Sequence, residues 1–423
     1  MRLIHRRSRH HLALPLLLAA CVPGSLKLGE DVDTDTEAAT DTGTASESSG
    51  EPTTGEPASE GVLEWTRTFE DISGFDLAIA GDGTIVVIGM SGFSFNGGDG
   101  GEYANTWRGK FDPAGALLWA VEEPNPPETS VQPLAVAVGP GGVIHELDID
   151  YGVLDGGGNQ VRRFSPDGDD LGVSTLPARP ASIAATADGV VVGGLKSTGD
   201  NSAVAWATAL DGAGEPVWAR TFGDPGMRWS QVAAIAVDGD EVILGGALGV
   251  EPESSRSQAW LLRLELADGA TIWDRTLTEA VATDVVLDLG LTADGTILAH
   301  GRESDNVLWA LTAAGEDLWQ QPAIDVRNDN VAVGKDGSFA FTGGLVLPIE
   351  DPNACVAGDG ACPVAMQIIR HNADRSPRWS ATREECRVGI KAAVTPGDGI
   401  LVLAGCSEPG LGDAAMGLML FAP

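Results

Sequence analysis

Between residue 61 and the C-terminus one pattern recurs: a strand of small apolar residues, an Asp-Gly type turn, a Val/Ile-rich strand ending in Gly, a third strand, then a turn leading to a Trp. The cleanest copy runs Val232 to Val237, Asp238-Gly239-Asp240, Glu241 to Gly246, Ala259 to Leu264 and Ile272 to Thr276. Trp65, Trp119, Trp218, Trp273, Trp319 and Trp379 mark six copies, and Leu171 reads as the occupant of the Trp position in the unit lacking one. Their spacing sets a period of about 52 residues, which suits units that bury their faces only by stacking on neighbours. The chain is therefore expected to be all-β, a seven-bladed β-propeller of four-stranded blades.

The first and last copies are incomplete in complementary ways. Leu63 to Phe69 reads like Val217 to Phe222 but stands before the first full unit, whereas the last unit ends at Pro423 without a closing Trp. Pairing Leu63 to Phe69 with Ala415 to Phe421 completes the last blade and removes two exposed strand edges that would invite aggregation. Asp82-Gly83, Asp188-Gly189, Asp294-Gly295 and Asp336-Gly337 supply the positive backbone angles of tight hairpins. Trp107 and Trp260 alternate with apolar residues along third strands, which places them in packing between blades. Gly193-Gly194, Gly245-Gly246 and Gly343-Gly344 mark close backbone approach where second strands end.

The N-terminus speaks to location. Arg2, Arg6, Arg7 and Arg9 precede an apolar run, Leu12 to Ala20, too short to span a bilayer, which needs about 20 residues. Leu18-Ala19-Ala20-Cys21 resembles the cleavage box of bacterial lipoproteins. The resemblance implies a signal peptide over 1–20, lipid attachment at Cys21, and an exported protein at the outer membrane or cell surface, since Val22 is not the Asp often found in chains retained at an inner membrane. Residues 21–60, rich in Thr, Ser, Gly, Glu and Asp, read as a disordered acidic tether, and 61–423 as the propeller. Removing four Arg and no acid with the leader moves the formal net charge from −35 to −39. Such a surface repels nucleic acid and anionic membrane, so contact with a membrane is expected through the lipid anchor only.

Four cysteines remain after Cys21. Cys386 and Cys406 are equidistant from the Pro396-Gly397-Asp398 turn and should face each other across a hairpin as a disulfide; Cys355 and Cys362, in the long insertion of the sixth unit, are most simply joined to one another. Of the mature histidines, His145, His300 and His371, the first two fall on comparable second strands, offset by one position when aligned on their turns, which would turn them to opposite faces. No zinc-binding pair of closely spaced cysteines, nucleophile elbow or phosphate-binding glycine loop occurs. Glu146, Asp148 and Asp150 alternate along one second strand and mark a weak candidate metal site, with calcium the fitting cation; solvated acids at a blade end are the competing reading.

Asp211-Gly212-Ala213-Gly214-Glu215-Pro216-Val217-Trp218 and Thr312-Ala313-Ala314-Gly315-Glu316-Asp317-Leu318-Trp319 resemble the turns of bacterial quinoprotein-like and seven-bladed propeller repeat families. The Asp211 to Gly214 spacing is shorter than in the tryptophan-docking repeats of quinoprotein dehydrogenases, so neither cofactor nor catalytic residues transfer. The expected function is a monomeric binding or interaction module without catalysis or cofactor, meeting an envelope or extracellular protein, peptide or glycan through its variable loop face. The candidate binding residues are Phe93, Phe95, Asn96, Asp99, Glu102 and Tyr103 in one loop, with Arg228 and Trp229 in another. The alternative is a quinoprotein-like oxidoreductase or glycan-processing enzyme built around the central channel.

Overall fold

The computed structural model describes residues 61–423 except 93, 96–100, 103–104, 126–130, 151–157, 200–201, 252–254, 280–281, 304, 323–329, 347–363 and 407–414. Seven four-stranded antiparallel sheets form the fold, with an added two-stranded hairpin of Ser94–Phe95 and Gly101–Glu102. From the axis outward, blade 1 holds Ile72–Ile79, Ile85–Ser91, Asn105–Phe111 and Leu117–Pro124, and blade 2 holds Val131–Val138, Ile144–Asp150, Gln160–Phe164 and Asp170–Thr175. Blade 3 comprises Arg179–Ala185, Gly189–Gly199, Ser202–Asp211 and Pro216–Phe222; blade 4, Gln231–Asp238, Glu241–Gly249, Ser257–Glu265 and Thr271–Thr276. Blade 5 comprises Val285–Leu291, Ile297–Glu303, Asp305–Leu311 and Asp317–Pro322; blade 6, Val331–Val333, Phe339–Val346, Val364–His371 and Pro377–Arg383.

Blade 7 is built from both ends of the domain. Cys386–Val394, Ile400–Cys406 and Ala415–Phe421 are completed by Leu63–Glu70, paired from Leu63 with Phe421 to Glu70 with Ala415. Inner strands touch their neighbours all the way round, so the ring is closed. At the seam the Gly61 N–H donates to the Ser380 carbonyl at 2.8 Å, and any side chain at Gly61 would run into the Trp379 ring. Cys386 lies opposite Cys406 and is bonded to it, as the turn symmetry predicts. Cys355 and Cys362, like Cys21, lie outside the described residues.

Second and third strands are buried on both faces and read as near-continuous apolar runs, so the core sits between successive blades. Outer strands alternate because one face packs on the neighbouring blade and the other meets solvent. In blades 1, 3 and 4 the Trp that marks the repeat ties that neighbour down by a hydrogen bond. Trp119, Trp218 and Trp273 donate their indole N–H to Pro166, Leu266 and Ala313, each the second residue of the next blade's outer turn, at 3.2, 2.7 and 3.1 Å.

Blade 2 corrects one sequence expectation. Pairing of Arg163 with Gly172, in the same register as Lys110 with Trp119, puts Gly172 and not Leu171 at the Trp position. Leu171 is the bulged residue before it, equivalent to Leu118, and a bulge shifts any alignment based on counting from apolar residues. Arg163 takes over the tryptophan's task from the adjacent strand, donating to the Gly212 carbonyl at 2.6 Å.

Candidate functional site

Strand alternation places the connection between second and third strands, and that between one blade and the next, on the same end of the ring. Of the predicted loop residues, Phe93, Asn96, Asp99 and Tyr103 lie outside the described residues, while Phe95 and Glu102 fall in the small hairpin, with their side chains undescribed. Arg228 is exposed and Trp229 half-buried in the connection from blade 3 to blade 4. Beside them the second strand of blade 3 runs past the core, exposing Lys196, Ser197, Thr198 and Gly199, and Thr198 Oγ1 donates to the Pro225 carbonyl at 3.1 Å. An open cleft of about 340 Å³ lined by Leu248, Trp260, Asp274, Arg275 and Thr276 adjoins blade 4.

The acid row has partners from another blade. Both oxygens of Glu146 receive hydrogen bonds from Arg108 of blade 1, at 2.8 Å from Nε and 3.0 Å from Nη2, and the two side chains are almost fully buried. Arg108 also donates to Glu123 at 2.9 Å, Glu123 bonds Arg162, and the Arg108 guanidinium lies 3.9 Å over the Phe164 ring. Burial pushes the Glu123 carboxyl up, but Arg162 and Arg108 outweigh it and bring it down to about 2. Burial and then the charge of Glu146 hold Asp148 well above the usual carboxylate range. Its Oδ2 accepts from Gln160 at 3.0 Å, while Oδ1 is buried without a partner. Asp150 belongs to the strand, but its side chain is not described. Glu146 is therefore taken by Arg108 and one oxygen of Asp148 by Gln160, and among the described residues no group of three metal-ligating side chains gathers.

The same register position in other blades shows what this costs. Glu146 stands where the six other blades have Val87, Val192, Leu244, Ala299, Phe341 and Val402. Asp148 opposite Gln160 replaces the pairs Gly89 with Trp107, Gly194 with Trp206 and Gly246 with Trp260. A Cβ at Gly194 or Gly246 would lie 2.0 Å from the carbonyl oxygen of Arg179 or Gln231, so these glycines answer to close approach.

A second group lines the axial channel, and sequence reading missed it. Asp76, Asp288, Asn330 and Lys391 occupy one equivalent position on the inner strands of blades 1, 5, 6 and 7, and Asp76, Asp288 and Asn330 each lie six residues before the Asp of an Asp-Gly turn. That constant offset was the available signal. Three of them latch the next blade: Asp76 accepts from Val136 N at 2.9 Å, Asp288 from Val331 N at 3.0 Å, and Asn330 Oδ1 from Ala392 N at 3.2 Å. Lys391 reaches past blade 6 to Asp288 at 3.1 Å and retains about a third of its side-chain surface, so it lines the channel. Burial lowers the Lys391 ammonium, but Asp288 and Asp76 outweigh it, and the net shift is upward. Burial pushes Asp76 up to about 6, with Lys391 pulling the other way.

The histidines are core residues. His145 pairs with Ala137 and His300 with Asp288, which puts them two register positions apart and not one. Gly142, and not Gly141, answers to Gly295, since each donates its N–H to the residue three before it, Gly139 or Thr292, and counting from Gly141 makes the offset one position too small. His371 stacks on Phe339 with ring centroids 5.0 Å apart.

With this geometry in hand, no protein-family model matches the chain, and no curated protein matches it by sequence. Solved structures do resemble it. The quinohemoprotein alcohol dehydrogenase of Comamonas testosteroni superposes with a TM-score of 0.50 at 11% identity, covering 85% of this chain and 76% of that one. The likeness is one of fold. BamB of Moraxella catarrhalis gives 0.45 at 14% identity, covering 86% and 95%, and a Bacteroides caccae protein of unknown function gives 0.41 at 11%, covering 71% and 94%.

Proposed function

We propose that this chain is a lipid-anchored cell-envelope propeller that binds a protein, peptide or glycan through its loop face. The observation that carries the reading is how the charged side chains of the ring interior are employed. Asp76, Asp288, Lys391, Arg108 and Glu146 hold one blade to another or close the channel, and each is matched to a backbone or side-chain partner. On the loop face, Lys196, Ser197, Thr198 and Arg228 stand exposed, and loops held on a rigid scaffold are where binding resides. Export and anchoring rest on the Arg-rich leader and Leu18-Ala19-Ala20-Cys21.

Anchoring is tested by feeding labelled palmitate to cells expressing the full chain. Incorporation that disappears in Cys21→Ala supports it, and labelling that survives overturns it. Binding is tested by thermal shift of the mature chain against panels of glycans, peptides, calcium and pyrroloquinoline quinone. A glycan or peptide shift that falls at least tenfold in potency in Arg228→Ala/Trp229→Ala supports the loop face. A response to the quinone, unchanged in that variant, would favour an oxidoreductase working from the channel.

A further inference from the structure

The rim of the ring carries a second surface, apart from the loop face. Outermost strands leave alternate backbone N–H and C=O groups unpaired, and proteins guard such edges with charges, prolines or bulges. All seven outer strands carry a bulge here, and six add a charge or a proline in the stretch that begins one residue before the repeat Trp: Glu122, Arg220, Asp274, Pro322, Arg378 and Arg67 stand there in blades 1, 3, 4, 5, 6 and 7. The matching stretch of blade 2, Leu171-Gly172-Val173-Ser174-Thr175, holds no charge, no proline and no Trp. Leu171 and Val173 are 48% and 56% exposed, and Gly172 between them, at φ of +114°, carries no side chain; its N–H donates to Asp170 Oδ1 at 2.7 Å and the Leu171 carbonyl accepts from Arg163 at 3.3 Å, so the added strand takes its backbone bonds from Val173 onward.

We infer that this edge is a docking site for an extended segment of a partner protein, which adds a fifth strand to blade 2. Backbone hydrogen bonds supply affinity in such strand addition, and alternate side chains supply selectivity. Leu171 and Val173 offer two apolar contacts at one strand's spacing. The occupant's charge follows from the turn at the start of this strand, where Asp167, Asp169 and Asp170 are exposed. A segment that alternates aliphatic and small polar residues and carries Lys or Arg at the end lying over these acids is complementary. A second copy of this chain is disfavoured as occupant by the repulsion between two bodies of formal charge −35 each.

The test uses the mature chain and a fluorescein-labelled heptapeptide that alternates Thr and Val and ends in two Lys, the end that an antiparallel added strand sets over Asp167 to Asp170. Polarisation should report saturable binding that weakens at least tenfold in Leu171→Lys and in Val173→Lys, and is unchanged in Val217→Lys on the outer strand of blade 3. Both blade 2 side chains are exposed, so these variants fold, and an unshifted melting temperature checks it. A peptide ending in two Glu should bind at least tenfold more weakly. Equal binding to wild type and Val173→Lys, no binding at millimolar peptide, or indifference to the terminal charge would each overturn the inference. So would a concentration-dependent dimer in sedimentation that Val173→Lys abolishes, which would name a second copy as the occupant. None of these outcomes depends on Arg228 or Trp229, so the loop-face reading stands or falls separately.

Discussion

Blades 4 and 2 are copies of one pattern, and they are held together by different physics. Blade 4 is assembled from apolar contacts: Val242, Leu244, Trp260, Leu262 and Leu264 pack on blade 3 beside Trp218, and Gly246 gives its backbone the room to close on the inner strand. Blade 2 meets blade 1 through Arg108 with Glu146 and Glu123 with Arg162, and within itself it pairs Asp148 with Gln160 where blades 1, 3 and 4 pair glycine with Trp. Apolar interfaces tolerate interchange, since any blade of similar shape can stack on any other. A buried ion pair is satisfied only with its own partner, so the polar seam costs desolvation while it specifies which blades are neighbours. In a chain of seven similar repeats, such an interface helps to set the register of the ring, as does fully buried Arg370 of blade 6, which pairs with Asp398 of blade 7 at 2.7 Å.

The largest expected effect tests that difference directly. Arg108→Ala leaves Glu146 buried without its partner and should destabilise by about 3–5 kcal/mol in urea unfolding. Arg108→Leu combined with Glu146→Val, which installs the residue types of the other blades, should recover most of that loss. A double variant as unstable as the single one would mean that shape and not charge governs the seam. Next in size is Gly246→Ala in blade 4, where the new Cβ meets the Gln231 carbonyl and should cost about 1–3 kcal/mol. Asp148, the counterpart in blade 2, already bears a side chain, so Asp148→Ala should cost less than Gly246→Ala; the reverse order would show that its bond to Gln160 matters more than local crowding.

The architecture was legible because its signals are local and repeated. A turn, a Trp and a glycine recur often enough to reveal seven units, and the incomplete ends at Leu63 and Phe421 fit only one another. Register was less legible, since one bulged residue moved the Trp position from Leu171 to Gly172, and the glycine that answers to Gly295 is Gly142 and not Gly141, which makes the histidine offset two. The acids share one strand as the alternation implies, but Glu146 and Asp148 are buried and not the solvated acids expected there, because the partner Arg108 comes from a different blade and nothing local in the chain announces a contact between residues 38 apart. The latch residues were recoverable from the fixed distance between Asp76, Asp288 or Asn330 and the following turn, had the copies been aligned on polar positions and not on tryptophans.

Acid separates the two blades by a smaller amount, and the sign can be worked out. Blade 2 contains His145, whose imidazole burial lowers to about 4, with Arg163 adding to the effect. As pH falls below about 6.5 the unfolded chain takes up a proton that folded His145 refuses, so its contribution to stability is complete above that pH and lost on the way to 4. Between pH 7 and pH 5 the loss is about 2 kcal/mol. Asp148 and Asp76 act in the opposite direction, because carboxyls raised by burial take up their proton in the folded state first, and stability is regained as pH drops toward the unfolded carboxylate value near 4. Blade 4 contains no histidine. Hydrogen exchange in Ile144–Asp150 should therefore respond to acidification from pH 7 to 5 more than exchange in Glu241–Gly249. His145→Asn should remove the destabilising part and leave the gain from the carboxyls, so that the variant loses less stability than the parent over that interval. If the two chains lose equal stability, the imidazole is not the group that makes the polar blade sensitive to acid.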